Sequence, residues 1–279
     1  MEALRKPSIG ARAVFADAKS RVRSNTLRAR ADDAMNEIVA AEVRYETAAT
    51  SGNYLKVRRP TTVGPGNLTK AEMEAFYTQR MAHDPSPARH YYDLILAGVR
   101  RCPRCGHRSV STLDHHLPKA KYIDLVVTPM NLVPSCFDCN RDKPDAVPRS
   151  NEEVFLHPYF EDISSDAWLT ARSPNPASKA LIFEVGAPST WSASLTARVR
   201  YQFRELHLAS LYSGQAADEV VLLKEELAPY LARGGPSRVQ GVVAGRATGA
   251  SRGRLNSWQS AAFTAWASNP WFYSGGFAT

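Results

Sequence analysis

Four cysteines stand in two Cys-x-x-Cys pairs, Cys102-Pro-Arg-Cys105 and Cys136-Phe-Asp-Cys139. Two such knuckles offer four thiolates at a spacing that suits tetrahedral Zn²⁺, and a site filled by four sulfurs has no open position, so an ion there is structural. The clustering argues against a disulfide framework. A redox pair is disfavoured because no thioredoxin-like βαβ pattern surrounds either motif. Thirty residues separate Cys105 from Cys136, so closing the site pins the ends of that segment together.

Inside the clamp runs Leu113-Asp114-His115-His116-Leu117-Pro118-Lys119, and Asn131 and Cys139-Asn140-Arg141-Asp142-Lys143 follow. A carboxylate next to an imidazole can bind a hard divalent cation while the ring takes a proton from water, the pairing that phosphodiester hydrolysis needs. Either histidine could be the base, because neighbouring residues on a strand point to opposite faces. His107 reads as a surface residue beside the knuckle or a phosphate contact. His157, in Leu156-His-Pro-Tyr-Phe160, is a candidate to line the site or a plain structural residue. Lys119, Lys121, Arg141 and Lys143 are placed to meet phosphates, or are solvated charges.

Residues 102 to 143 resemble an HNH endonuclease, the ββα-metal nuclease family, in its four-cysteine zinc-supported form. The family pattern Asp-His-x-x-Pro implies that Asp114 is a ligand of the catalytic metal and His115 the general base, with Pro118 in the expected place. It implies that Asn131 fixes the loop carrying the base and that Asn140 is the second metal ligand. Many members have histidine at that last position, and an asparagine oxygen there suits Mg²⁺ or Mn²⁺. The activity so implied is metal-dependent hydrolysis of DNA, nicking one strand at a time. Two cuts, or a homodimer, would give a double-strand break. A wider likeness, without motif chemistry, is to stand-alone bacterial HNH proteins, some of which accompany ATPases in anti-phage defence loci. It adds an ATPase or other defence-system protein to the expected partners.

The elements that must position these residues read as follows. Residues 1 to 50 are mostly helical, with Ala34, Ile38, Ala41 and Tyr45 near the helical period. Arg58 to Gly66 is a loop rich in Pro and Gly. Thr69 and Glu72 form a capping box that opens a helix through Met81. A further helix, 89 to 99, delivers the chain to the first knuckle. A short strand is expected over 110 to 113, a loop over 119 to 127 and an exit loop over 144 to 149. Beyond Trp168 the pattern predicts a strand at 180 to 185 and helices over 195 to 212 and 216 to 231, with Pro229 kinking or ending the second. The aromatic tail, Trp258, Phe263, Trp266, Trp271, Phe272 and Phe277, is expected to pack back onto the body.

The expected architecture is α+β: a ββα-metal (HNH) nuclease core with a four-cysteine zinc site, embedded in mainly helical N- and C-terminal regions. The boundaries read as a basic, mainly helical region over 1–95, the nuclease domain over 96–165 and a C-terminal α+β and helical region over 166–279. The chain has 279 residues, 44% of them hydrophobic, enough for a core without disulfides. Its 35 Lys+Arg against 27 Asp+Glu give a net charge of +8, which favours a polyanionic partner. The excess concentrates in residues 1 to 30 and in Arg233, Arg238, Arg246, Arg252 and Arg254. No stretch reaches the length of a membrane span and no secretory signal stands at the start, so a cytoplasmic protein is expected. The competing readings are a zinc-ribbon module that binds DNA or RNA and cuts nothing, and a degenerate nuclease kept as a scaffold.

Overall fold

The computed structural model describes residues 1–279. The chain is mainly helical, with three two-stranded antiparallel sheets and a buried four-cysteine cluster. It divides into two compact units, Glu2–Glu161 and Asp162–Thr279 with Met1. The division falls between Glu161 and Asp162.

In the first unit the expected helical stretch is two helices, α1 (Ala11–Ser20) and α2 (Asn25–Thr50). The turn between them is set by Ser24, whose side chain accepts a hydrogen bond from the Leu27 amide and caps α2. Ala31, Ala34, Ile38, Ala41, Tyr45 and Ala48 are the buried stripe of α2. The Pro- and Gly-rich loop carries a minimal hairpin, β1 (Thr62–Val63) and β2 (Leu68–Thr69). Its Gly64 has φ 74° and lies so close to α2 that an added Cβ would sit 2.6 Å from the Ala34 Cα, a position open only to glycine.

The capping box forms as expected: the Thr69 side chain accepts from the Glu72 amide, and Glu72 accepts from the Thr69 amide. It opens α3 (Lys70–Tyr77), which continues as a π-helical turn through Ala82. Arg30 of α2 grips the same Glu72 carboxylate with both terminal nitrogens at 2.8 Å. The next helix, α4 (Arg89–Leu96), stops short of the expected Val99, because Gly98 takes a left-handed φ of 79°. Phe15, Ile38, Phe76, Met81, Tyr92 and Ile95 share one core with Leu113, Val126 and Leu132 of the cysteine-bearing region.

Strand β3 (Thr112–His115) pairs antiparallel with β4 (Leu132–Ser135), in a register that sets Asp114 opposite Val133 and His115 opposite Leu132. The expected strand at 110 to 113 is therefore displaced toward the Asp-His pair. The segment read as a loop over 119 to 127 contains a 3-10 turn, Ile123–Leu125, whose residues are buried. A short helix, α5 (Phe137–Asp142), follows β4 directly.

In the second unit β5 (Leu169–Arg172) pairs with β6 (Ile182–Val185), the strand expected near 180 to 185. Helices α6 (Ala193–Glu205) and α7 (Leu208–Gly253) are separated at His207, which has φ 51°. Pro229 neither ends nor interrupts α7. The interruption comes at Gly235, with φ 63° and ψ −168°, a conformation that glycine alone adopts cheaply. The tail folds as α8 (Trp258–Ala267) and α9 (Pro270–Tyr273). Trp258, Phe263, Trp266, Phe272 and Phe277 are buried, and the Trp266 and Phe272 rings stack at 5.2 Å. No helix is long and apolar enough to cross a membrane.

Candidate active site and cysteine cluster

The first knuckle is a tight turn, closed by the Gly106 amide donating to the Cys102 carbonyl at 2.7 Å and permitted by a Gly106 φ of 61°. The second is the start of α5: Cys136 is its N-cap, and its sulfur accepts from the Cys139 amide. The four Sγ atoms lie within 4.8 Å of one another and all four residues are buried. A tetrahedron of sulfurs about 2.3 Å from zinc has edges of about 3.8 Å, so the cluster is of a size to hold one zinc ion.

The two knuckles bring β3, β4 and α5 together beside a cavity of about 390 Å³. Asp114, His115, Asn140, Lys119 and Lys143 line it, with Tyr77 and Asp145 on its wall. The His115 ring stands edge-on to Tyr77, with centroids 4.4 Å apart. Its Nε2 is 2.9 Å from the Val126 carbonyl oxygen. A carbonyl only accepts, so Nε2 carries the proton and Nδ1 carries the lone pair. Burial holds the imidazole pKa down to about 4, so the ring is neutral at pH 7.

Asn131 lies beneath this wall and is fully buried. Its Oδ1 accepts from the Leu117 amide at 2.8 Å, and its Nδ2 donates to the carbonyls of Leu117 (3.1 Å) and Leu125 (3.4 Å). Its own carbonyl takes the His116 amide at 2.8 Å. One side chain thus stitches the residues after His115 to the turn that presents Val126.

Asp114 is almost wholly buried and carries two cations. Its Oδ2 is 2.5 Å from Nη2 of Arg104, and its Oδ1 is 3.3 Å from Nζ of Lys143. Lys143 also donates to the carbonyl of His115 at 2.8 Å and lies 3.4 Å from that of His116. Burial pushes its pKa below the usual lysine range, against the pull of Asp114. Lys143, read in the sequence as a phosphate contact or a solvated charge, lines the cavity and is bonded inward as a strut between α5 and β3.

His116 and His157 lie elsewhere. The His116 ring is 4.2 Å from His157 and 5.0 Å from Tyr54, in a buried aromatic cluster away from the cavity lining. His157 has its Nε2 at 2.9 Å from the Tyr45 hydroxyl and its Nδ1 accepting from the Tyr159 amide. Lys121 and Arg141 are exposed and do not line the cavity, and Arg141 pairs with Asp138 and Asp142. His107 is half-buried beside the first knuckle. Sequence reasoning missed Arg104 and Tyr77. A basic residue inside a Cys-x-x-Cys turn carries no sign that it points inward, and Tyr77 reads as one more core aromatic of α3.

The chain is 33% identical over 193 residues to Protein ea31 of Escherichia phage lambda, an alignment covering 64% of this chain and 65% of that protein. The chain therefore spans slightly less than two thirds of that relative's length. No family model matches the sequence, and no solved structure matches it.

Proposed function

We propose that the Glu2–Glu161 unit is an HNH endonuclease, a metal-dependent phosphodiesterase acting on DNA, with β3, β4 and α5 as its ββα core and a structural zinc on the four cysteines. The observation that carries this reading is the orientation of His115. It lines a cavity with Asp114 and Asn140, and its Nε2 donates to the Val126 carbonyl, so Nδ1 is the nitrogen that carries a lone pair.

The donor set on the cavity wall suits a hard divalent ion: one carboxylate oxygen and one neutral amide oxygen, with room for water and phosphate oxygens. Asp114 Oδ2 is held by Arg104, which does not line the cavity, and the weaker Lys143 contact at Oδ1 is the one an ion would replace. Asp114 and Asn140 would hold Mg²⁺ or Mn²⁺, which when bound stabilises charge on the scissile phosphate and on the leaving 3′ oxygen. His115 takes the proton from the attacking water through Nδ1, and its fixed tautomer keeps that lone pair aimed. Asn131 holds the Leu125 carbonyl in the turn that presents Val126, and the His116 amide at the strand end beside the ring. Lys119 on the rim supplies positive charge toward the phosphodiester.

The test is cleavage of supercoiled plasmid by wild type and His115→Ala with Mg²⁺, Mn²⁺ or EDTA. Nicked or linear product from wild type alone, and only with metal, is the expected result. A non-catalytic zinc-ribbon module is the second reading, and the neutralised Asp114 is the observation in its favour. It requires a gel shift of the same plasmid with no cleavage under any metal. A second copy of the chain is the partner that would convert nicking into a double-strand break, and an ATPase or other defence-system protein is the further partner we propose.

A further inference from the structure

Arg104 sits between two cysteines of the clamp, so its backbone is fixed by the same turn that fixes their sulfurs. Its side chain is wholly buried and ends on Oδ2 of Asp114 at 2.5 Å. The guanidinium also lies 5.4 Å from the Phe155 ring centroid. Its Nε and Nη1 are buried and make no hydrogen bond, so the ion pair is single-pronged and the other donors are orphaned. Such an arrangement is poor for stability: a buried guanidinium with unmet donors is costly, and apolar side chains in place of Arg104 and Asp114 together would pack there at less cost. What the arrangement does supply is direction. It comes to Asp114 from behind the cavity wall and immobilises one carboxylate oxygen, while the other is left on the side of Lys143 and the cavity.

The geometry points to Arg104 as a positioning residue that transmits the shape of the cysteine clamp to the Asp114 carboxylate. This rests on the nuclease reading for its consequence in catalysis, but the pairing itself can be measured without it. A clamp that is open or wrongly filled displaces Arg104, releases Oδ2 and lets the carboxylate rotate. The structural metal then matters to the reaction beyond holding the fold, through one side chain located between two of its ligands.

The experiment compares zinc-loaded wild type with Arg104→Lys, Arg104→Met, Asp114→Asn and the Arg104→Met/Asp114→Asn double variant. Zinc content, thermal midpoint, and kcat and KM for plasmid nicking are read for each. The expected result is that Arg104→Met keeps one zinc per chain and an unchanged KM while kcat falls at least thirtyfold. Arg104→Lys should recover at least fivefold of that loss, and the double variant should be no worse than Asp114→Asn alone. Arg104→Met within threefold of wild type in kcat, or losses that multiply in the double variant, would overturn the proposal. If Arg104→Met loses zinc, Arg104→Lys decides: zinc retained with kcat lowered at constant KM supports it, and zinc and kcat falling in parallel, or neither falling, refutes it. If wild type nicks nothing, the nuclease reading fails on its own and the thermal midpoints decide the pairing. Shifts that fail to add in the double variant support the coupling, and additive shifts refute it.

Discussion

The Nε2 atom of His115 lies 2.9 Å from the carbonyl oxygen of Val126, and this contact fixes which nitrogen of the ring can act as a base. His115→Ala is expected to lower nicking by about 10³-fold while zinc content and the circular dichroism spectrum stay as in wild type, since the ring lies outside the sulfur cluster. Full activity in that variant would return the role to His116. Because burial holds the His115 pKa near 4, the ring is already neutral at pH 6. The rate should therefore show no limb at the ordinary histidine pKa and should fall only as pH approaches about 4. An inflection at pH 6.5 would contradict the buried, neutral assignment.

Asn131 has a different signature. Asn131→Ala leaves the Leu117 amide and two carbonyls without their partner in a buried place, which should cost about 3 kcal/mol in urea unfolding. The nicking rate should fall even where the protein is fully folded, because the turn presenting Val126 loosens. A variant as stable as wild type would show that solvent reaches this site.

Cys102→Ser and Cys136→Ser each remove one ligand from the cluster, and with it the binding free energy that folds the segment. Both should lose zinc, and the first unit should become sensitive to protease between residues 106 and 135. A stable, zinc-free and active variant would refute a structural role for the ion.

Asp124 offers a pH test remote from the site. Its carboxylate is buried, with Oδ1 unpartnered and Oδ2 3.7 Å from Arg44, and burial raises its pKa from 3.8 to about 6. The folded state therefore holds this proton more tightly than the unfolded chain does. Stability falls as pH rises from about 4 to about 6, and the penalty is constant above that. Asp124→Asn should stabilise the protein at pH 8 by an amount on the order of 2 kcal/mol, and the gain should vanish near pH 4. A gain independent of pH would mean that packing, and not charge, explains it.

The sulfur cluster is legible in the sequence because its spacing is local, and the nearby Asp114, His115 and Asn140 do line one cavity, with Asn131 bonded beneath them. Val126 is not legible, since its contribution is a carbonyl that any residue could provide. Arg104 and Lys143 escape the sequence pattern for a common reason. Sequence assigns a cation to solvent or to phosphate by default, and both are committed to one carboxylate inside the protein. In the second unit the helical period is clear, but the pattern points to Pro229 for a break that Gly235 makes. A proline in a long helix can be accommodated by local adjustment, whereas a positive φ cannot be continued as helix.

The closure of Cys105 upon Cys136 also frees the sequence it encloses. Bringing together the ends of a flexible loop of thirty residues costs about 3 kcal/mol in chain entropy, and doubling the loop adds only about 0.6 kcal/mol. Once the cluster bears that cost, the enclosed segment is held by the β3–β4 pairing, by its buried residues Leu113, Tyr122, Ile123 and Leu132, and by Leu117, Leu125 and Val126 against Asn131 and His115. Between the cavity-lining Lys119 and the buried Tyr122, the half-buried Ala120 and exposed Lys121 can change with little penalty. The surface beside the cavity is thus evolvable on its own, able to acquire a new preference for what it touches while Asp114, His115 and Asn140 stay where they are.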